Sequence, residues 1–236
     1  MAQKIYDQDP NLVAQLDTHQ GPVVIKWFGW RHKLHFYLSP LRPGRAWNSW
    51  QMARALEEAA ARTPQPLFVY LRRCRGFIHE NFYVTAAIHP HQKLRDFLQS
   101  NAPPQLMEQA VADLALSIAR MHEGGIRHRD LTTGNCLVDD AGLVHLVDLN
   151  RARKRARPSR HQRLSDLARI NFNARDQALT CRLAHRFFQV YSTETDPTID
   201  WEGRYQKYRH RLLQRRGWKK RLRRLRNRKQ ADTVGV

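Results

Sequence analysis

The stretch HRDLTTGNCLVDDAGLVHLVDLN, His128 to Asn150, sets Asp130, Asn135 and Asp148 around two apolar runs. NCLV and LVHLVD are β-type, and DDAG between them has the composition of a turn. A hairpin closed there makes the runs antiparallel neighbours and brings Asn135 and Asp148 together at its open end. Adjacent strands lie about 4.8 Å apart, so both side-chain oxygens can reach one cation. Hard oxygen donors suit Mg²⁺, which keeps several waters and takes substrate phosphates as further ligands. Asp130 precedes Asn135 by five residues, on the loop leading into the first run. A carboxylate there stands beside the metal without binding it and can accept a proton from a hydroxyl that attacks a phosphate. Taken singly, each residue has an ordinary reading: Asp and Asn before strands form turns, and His-Arg-Asp occurs as a surface triplet.

The rest of the chain must position these groups. GPVVIKWF reads as a strand opened by a Gly-Pro turn, and it carries Lys26. RPGRAWNSWQMARALEEAAAR reads as a helix that stops before the prolines of TPQP. LFVYLRR and NFYVTAAI read as strands. HQKLRDFLQS is a short helix, and PPQLMEQAVADLALSIARMHEGG a long one, with prolines at its start and a Gly pair at its stop. Its spacing predicts a buried face of Leu106, Ala110, Leu114, Ser117 with Ile118, and Met121. RLSDLARINFNA and ALTCRLAHRFFQVY are amphipathic. The last segment spaces Trp201, Tyr205, Tyr208 and Leu212 at helical intervals among Arg and Lys. The pattern predicts a two-lobed α+β protein. Its parts are a strand-rich lobe over 1–88 with a shortened first strand, a mainly helical lobe over 89–200, and a basic helix and tail over 201–236.

HRDLTTGN fits the protein-kinase catalytic loop H-R-D-L-x-x-x-N position by position, DLN stands where kinases carry D-F-G, and VVIK resembles the lysine strand V-A-I-K. The order is also that of a kinase: lysine strand, helix, hinge strand, long helix, catalytic loop, metal aspartate. GRAWNSWQMARAL, TPQPLFVY, NFYVTAAI, LRDFL, LVDLNRAR and RLSDLARI together resemble the Kdo/WaaP-type lipopolysaccharide kinase family, from about Val23 to Phe188. These are bacterial enzymes of protein-kinase-like fold that phosphorylate inner-core sugars. The resemblance implies ATP and Mg²⁺ as cofactors and a Kdo or heptose hydroxyl as acceptor. By position it implies Asp130 as catalytic base, Asn135 and Asp148 as metal ligands, Lys26 as the contact to the ATP phosphates, and His128 as a packed support. Asp166 resembles the buried aspartate that braces the catalytic loop; as a plain helix residue it would be an N-terminal cap. Three departures stand out. No acid lies between Lys26 and Glu57, so the usual lysine–glutamate pair must use Glu57 or Glu58 or be absent, with Asn48 and Ser49 where the glutamate is sought. YDQDPNLVAQLDTHQG supplies no Gly-rich loop. The stretch after Asp148 is short and basic and lacks A-P-E.

The chain carries 41 Lys and Arg against 21 Asp and Glu, a formal charge of +20, which draws polyanions. Arg151, Arg153, Lys154 and Arg155 follow the metal aspartate directly and are expected to meet an anionic acceptor. The basic tail is expected to touch an anionic membrane. Cys74, Cys136 and Cys181 are scattered and odd in number, which speaks against a disulfide framework or zinc site and for buried thiols. No run is apolar enough to span a bilayer, and the first residues lack a signal-peptide core, so a cytoplasmic protein with peripheral contact to the inner membrane is expected. Two rivals remain open. One is a kinase-like enzyme of another substrate, small molecule or protein, RIO-like; Thr132 stands where serine/threonine kinases place a lysine. The other is a nucleic-acid-binding pseudokinase, drawing on Trp201, Tyr205, Tyr208 and Trp218 among the arginines.

Overall fold

Alternating apolar and polar side chains fold the first part of the chain into strands. A computed structural model describes residues 2–8, 11–30 and 33–214. Ala2–Gln8 (β1), Asn11–Thr18 (β2) and Gly21–Phe28 (β3) run antiparallel to one another, so the first strand is seven residues long and the segment without a Gly-rich loop forms a hairpin. A short helix, Lys33–Tyr37 (α1), leads to Arg45–Glu58 (α2). Pro66–Cys74 (β4) and Phe77–Ala86 (β5) complete a five-stranded sheet of order β1-β2-β3-β5-β4. α2 buries Ala46, Met52, Ala53 and Leu56. Gly44 at its start leaves room for Leu71, whose Cδ1 would lie 2.1 Å from any added Cβ.

The chain then crosses to the second lobe. His91–Lys93 (β6) and Leu94–Gln99 (α3) precede the long helix Pro104–Glu123 (α4). α4 buries Met107, Ala110, Leu114, Ile118 and Met121, whereas Leu106 is 46% exposed. The expected face was thus misplaced at its start. At about 100° per residue, position 106 lies about 80° from Leu114 and position 107 only about 20°. Gly125 ends the helix at φ +77°, and a Cβ there would stand 2.4 Å from the Arg155 carbonyl oxygen. Ile126–Arg127 (β7), Cys136–Asp139 (β8) and Val144–Leu146 (β9) follow; β6, β8 and β9 form one sheet, with Cys136 opposite Leu146. Arg153–Lys154 (β10) pairs with β7. Arg160–Leu167 (α5) opens with a capping box of Ser159 and Gln162, and Gln177–Thr195 (α6) with Asp176.

Residues 201–214 are helical (α7). Trp201 and Tyr205 are buried, with Tyr205 packed on Phe188 and donating to the Ile170 carbonyl at 3.0 Å. They are core residues and cannot stack on bases. The remainder of the basic tail, with Trp218, lies outside the described residues. Of the three cysteines only Cys136 is buried; Cys74 and Cys181 are exposed. Among the described residues no helix is long and apolar enough to cross a membrane.

Candidate active site

A cleft of about 390 Å³ opens between the lobes. Val13 and Val24 line it from the sheet and Leu137 from the hairpin, while Lys26, Asn135 and Asp148 line its polar end. β3 delivers Lys26, whose Nζ forms an ion pair with Asp148 Oδ1. Asp148 follows β9 in a left-handed conformation, φ +63°, and begins a 3-10 turn over Leu149–Arg151. This backbone region is uncommon for a residue with a Cβ and is tolerated best by Asp and Asn. Asn150 Nδ2 also donates to Asp148 Oδ1, at 2.6 Å.

The loop holding Asp130 is fixed from both sides. His128 is fully buried; its Nε2 lies 2.9 Å from the Val147 carbonyl and its Nδ1 accepts from the Asp130 N–H at 3.3 Å. This pattern needs the neutral ring with its proton on Nε2, and burial pushes the imidazole pKa down accordingly. Below it, the Asp166 carboxylate accepts from the backbone N–H groups of His128 at 3.0 Å and Arg129 at 3.2 Å. Arg129 is itself left-handed, φ +64°. Burial alone would raise the Asp166 pKa, but His122, Arg127 and His128 around it hold it below the ordinary carboxylate value. Asp166 sits in the last turn of α5 and Ser159 caps that helix, so the cap reading of Asp166 is excluded by position.

Asn135 closes the loop. Its Nδ2 donates to the Asp130 carbonyl at 2.8 Å, and its backbone carbonyl accepts from Val147 at 3.0 Å. Its side-chain oxygen has no hydrogen-bond partner among the described residues. The Asp130 carboxylate is met by Arg151 Nη1 at 3.1 Å and Arg169 Nη1 at 3.6 Å. The structure therefore brings together Lys26, Asp130, Asn135 and Asp148, with His128 and Asp166 beneath them.

The remaining groups singled out in the sequence lie as follows. Neither Glu57 nor Glu58 meets Lys26: Glu57 pairs with Arg54 at 3.1 Å and Glu58 with Lys154 at 2.9 Å. Both lie in the last turn of α2, about two turns beyond Ser49, which lines the cleft. Of the basic quartet only Arg151 reaches Asp130. Arg153 turns to Asn48 at 2.7 Å, Lys154 to α2, and Arg155 is exposed with its N–H on the Gly125 carbonyl. Arg153 and Lys154 form β10, which pairs with β7, and both side chains end on α2 residues. Sequence reasoning missed Arg169 as a partner of Asp130; its signal was its place in SDLARI, three residues after Asp166.

A family model described as Lipopolysaccharide kinase (Kdo/WaaP) family matches residues 29–191. The lipopolysaccharide core heptose(I) kinase WaaP of Pseudomonas aeruginosa is 30% identical over 153 residues, 60% of this chain and 57% of that protein. The 3-deoxy-D-manno-octulosonic acid kinase of Vibrio vulnificus is 25% identical over 146 residues, 62% of this chain and 60% of that protein. The chain thus spans less than two thirds of the length of these curated relatives. A solved structure described as WaaP in complex with acyl carrier protein aligns at a TM-score of 0.66 and 25% identity, covering 90% of this chain and 88% of that one. The fold is kinase-like, as the motif order implied.

Proposed function

Because the chain belongs to the lipopolysaccharide kinase (Kdo/WaaP) family, we propose that it transfers a phosphoryl group from ATP to a Kdo or heptose hydroxyl of the lipopolysaccharide inner core. The observation that carries this reading is the meeting of Lys26 and Asp148 across the cleft, with Asn135 alongside and Asp130 bonded to Asn135 through its carbonyl. The residues present fit Mg-ATP: the apolar walls suit a base, and the Asn135 oxygen, without a hydrogen-bond partner among the described residues, and the Asp148 carboxylate are hard donors lining the same space. Bound Mg²⁺ would supply charge neutralisation for the phosphates. Asn135 and Asp148 would hold it, and Lys26 would orient the phosphates. Asp130 would accept the proton of the sugar hydroxyl once the acceptor draws Arg151 and Arg169 away from it. His128 and Asp166 would keep that loop in place.

The test is mass spectrometry of a core-phosphate-deficient lipopolysaccharide after incubation with Mg-ATP. Gain of one phosphate, absent with Asp148→Ala, is expected; no gain on any core acceptor, with turnover on a small molecule or protein instead, would sink the reading. We place the enzyme at the cytoplasmic face of the inner membrane, on the support of its +20 charge and of Arg204, Lys207 and Arg211, exposed on α7. Cosedimentation with anionic vesicles that fades as salt rises is the matching measurement. Acyl carrier protein is a proposed partner on the strength of the solved relative alone.

A further inference from the structure

We propose that Asn48 is a positioning residue that fastens α2 to the segment carrying Asp148, a task for which α2 offers no charged group to Lys26. Asn48 is 5% exposed. Its Nδ2 lies 3.2 Å from the Leu149 carbonyl oxygen, 3.1 Å from that of Asn150 and 3.1 Å from that of Ala152. Its Oδ1 accepts from Arg153 Nη1 at 2.7 Å, and the same Nη1 donates to the Ala152 carbonyl at 2.9 Å. One amide thus gathers the carbonyls that follow Asp148 and is itself held by a guanidinium. A primary amide has two protons for three acceptors, so the carbonyls share them, and the turn is held at one depth against the helix.

The left-handed Asp148 stands immediately before this turn. Any slack in Leu149–Ala152 would move its carboxylate relative to Asn135 and Lys26. Asn48 reaches the site only through the backbone it binds. A neutral amide is the suitable group: a carboxylate would set an oxygen against three carbonyl oxygens, and an ammonium would leave a buried charge. Asn48 and Ser49 occupy the place where a glutamate was sought, which marks the position of the clamp but not the direction in which Asn48 points.

The catalytic consequence rests on the kinase reading; the clamp itself does not. Asn48→Asp keeps the size and the Arg153 contact but sets a charged oxygen where the donor was, while Asn48→Ala removes donor and Arg153 contact together without adding charge. For both variants, hydrogen exchange over residues 148–152 should quicken at least tenfold, with the 136–146 hairpin unchanged. The Mg²⁺ concentration giving half-maximal phosphoryl transfer should rise several-fold, and kcat should fall more than the KM for ATP changes. Should Asn48→Ala fail to fold, Asn48→Ser and Arg153→Ala are read in the same way. Unchanged exchange over 148–152 in a folded variant overturns the proposal. Faster exchange throughout the molecule with the same Mg²⁺ dependence also overturns it, since that describes ordinary packing. Inactive wild-type protein defeats the kinase reading instead and leaves the exchange measurement to judge the clamp.

Discussion

Two aspartates of the catalytic loop region differ in what they hold, and substitution should separate them. The Asp130 carboxylate carries two arginines and, among the described residues, no backbone hydrogen bond. Asp130→Asn should therefore fold normally and bind Mg-nucleotide, while kcat falls by about 10²–10⁴, the usual share of a general base. Asp166 is fully buried and bonds two backbone N–H groups. Hydrogen bonds to a charged group are worth about 1.5–3 kcal/mol each, so Asp166→Ala should lower unfolding stability by about 3 kcal/mol in a urea titration and lose activity with it. Normal stability in Asp166→Ala would refute its role as brace. The quartet His128, Asp130, Asn135 and Asp148 was legible because the template fixes identity and spacing together. The cation partners were not: Arg151, Arg153 and Lys154 stand within four residues, yet one meets Asp130 and two meet α2.

At the scale of elements, α5 carries Asp166 and is only eight residues long, so its start matters. The Ser159 side chain accepts from the Gln162 N–H, and Gln162 returns the bond to the Ser159 N–H. Ser159→Ala should cost about 1 kcal/mol, read as a lowered denaturation midpoint at unchanged slope. Its effect on kcat should be small while the protein stays folded. Most elements could be read from the sequence, since strands such as GPVVIKWF and the Pro-to-Gly span of α4 carry both pattern and punctuation. Helix phase could not be read as well. Leu106 and Met107 are equally apolar, and only the partner surface decides which is buried. The same limit hid the failure of Glu57 and Glu58 to reach Lys26, because sequence gives the order along α2 but not its rotation against the sheet.

For the whole molecule, acid should be destabilising before any carboxylate titrates. His122 and His128 are both buried, and burial lowers both pKa values below the ordinary imidazole value of 6.5. The unfolded chain therefore binds more protons than the native state as pH drops through that value. Stability should be level above about pH 7, fall as pH is lowered through the imidazole range, and fall again below 3.8, where the unfolded chain takes up a proton that native Asp166, its pKa depressed, still refuses. Denaturant midpoints between pH 8 and 5 check this, and His122→Asn should flatten the slope.

The pairing of Lys26 with Asp148 across the cleft has one more outcome. Each group occupies the other's charge, so neither is at liberty to serve a newcomer alone. On the proposed reading, Lys26 turns to a phosphate only when something else answers Asp148, and Asp148 takes a cation only when Lys26 lets go. Nucleotide and divalent ion should consequently bind with positive linkage, each tightening the other by the same factor. Calorimetry should find ATP alone and Mg²⁺ alone weak and the two together strong, and Lys26→Met should raise the affinity for Mg²⁺ alone.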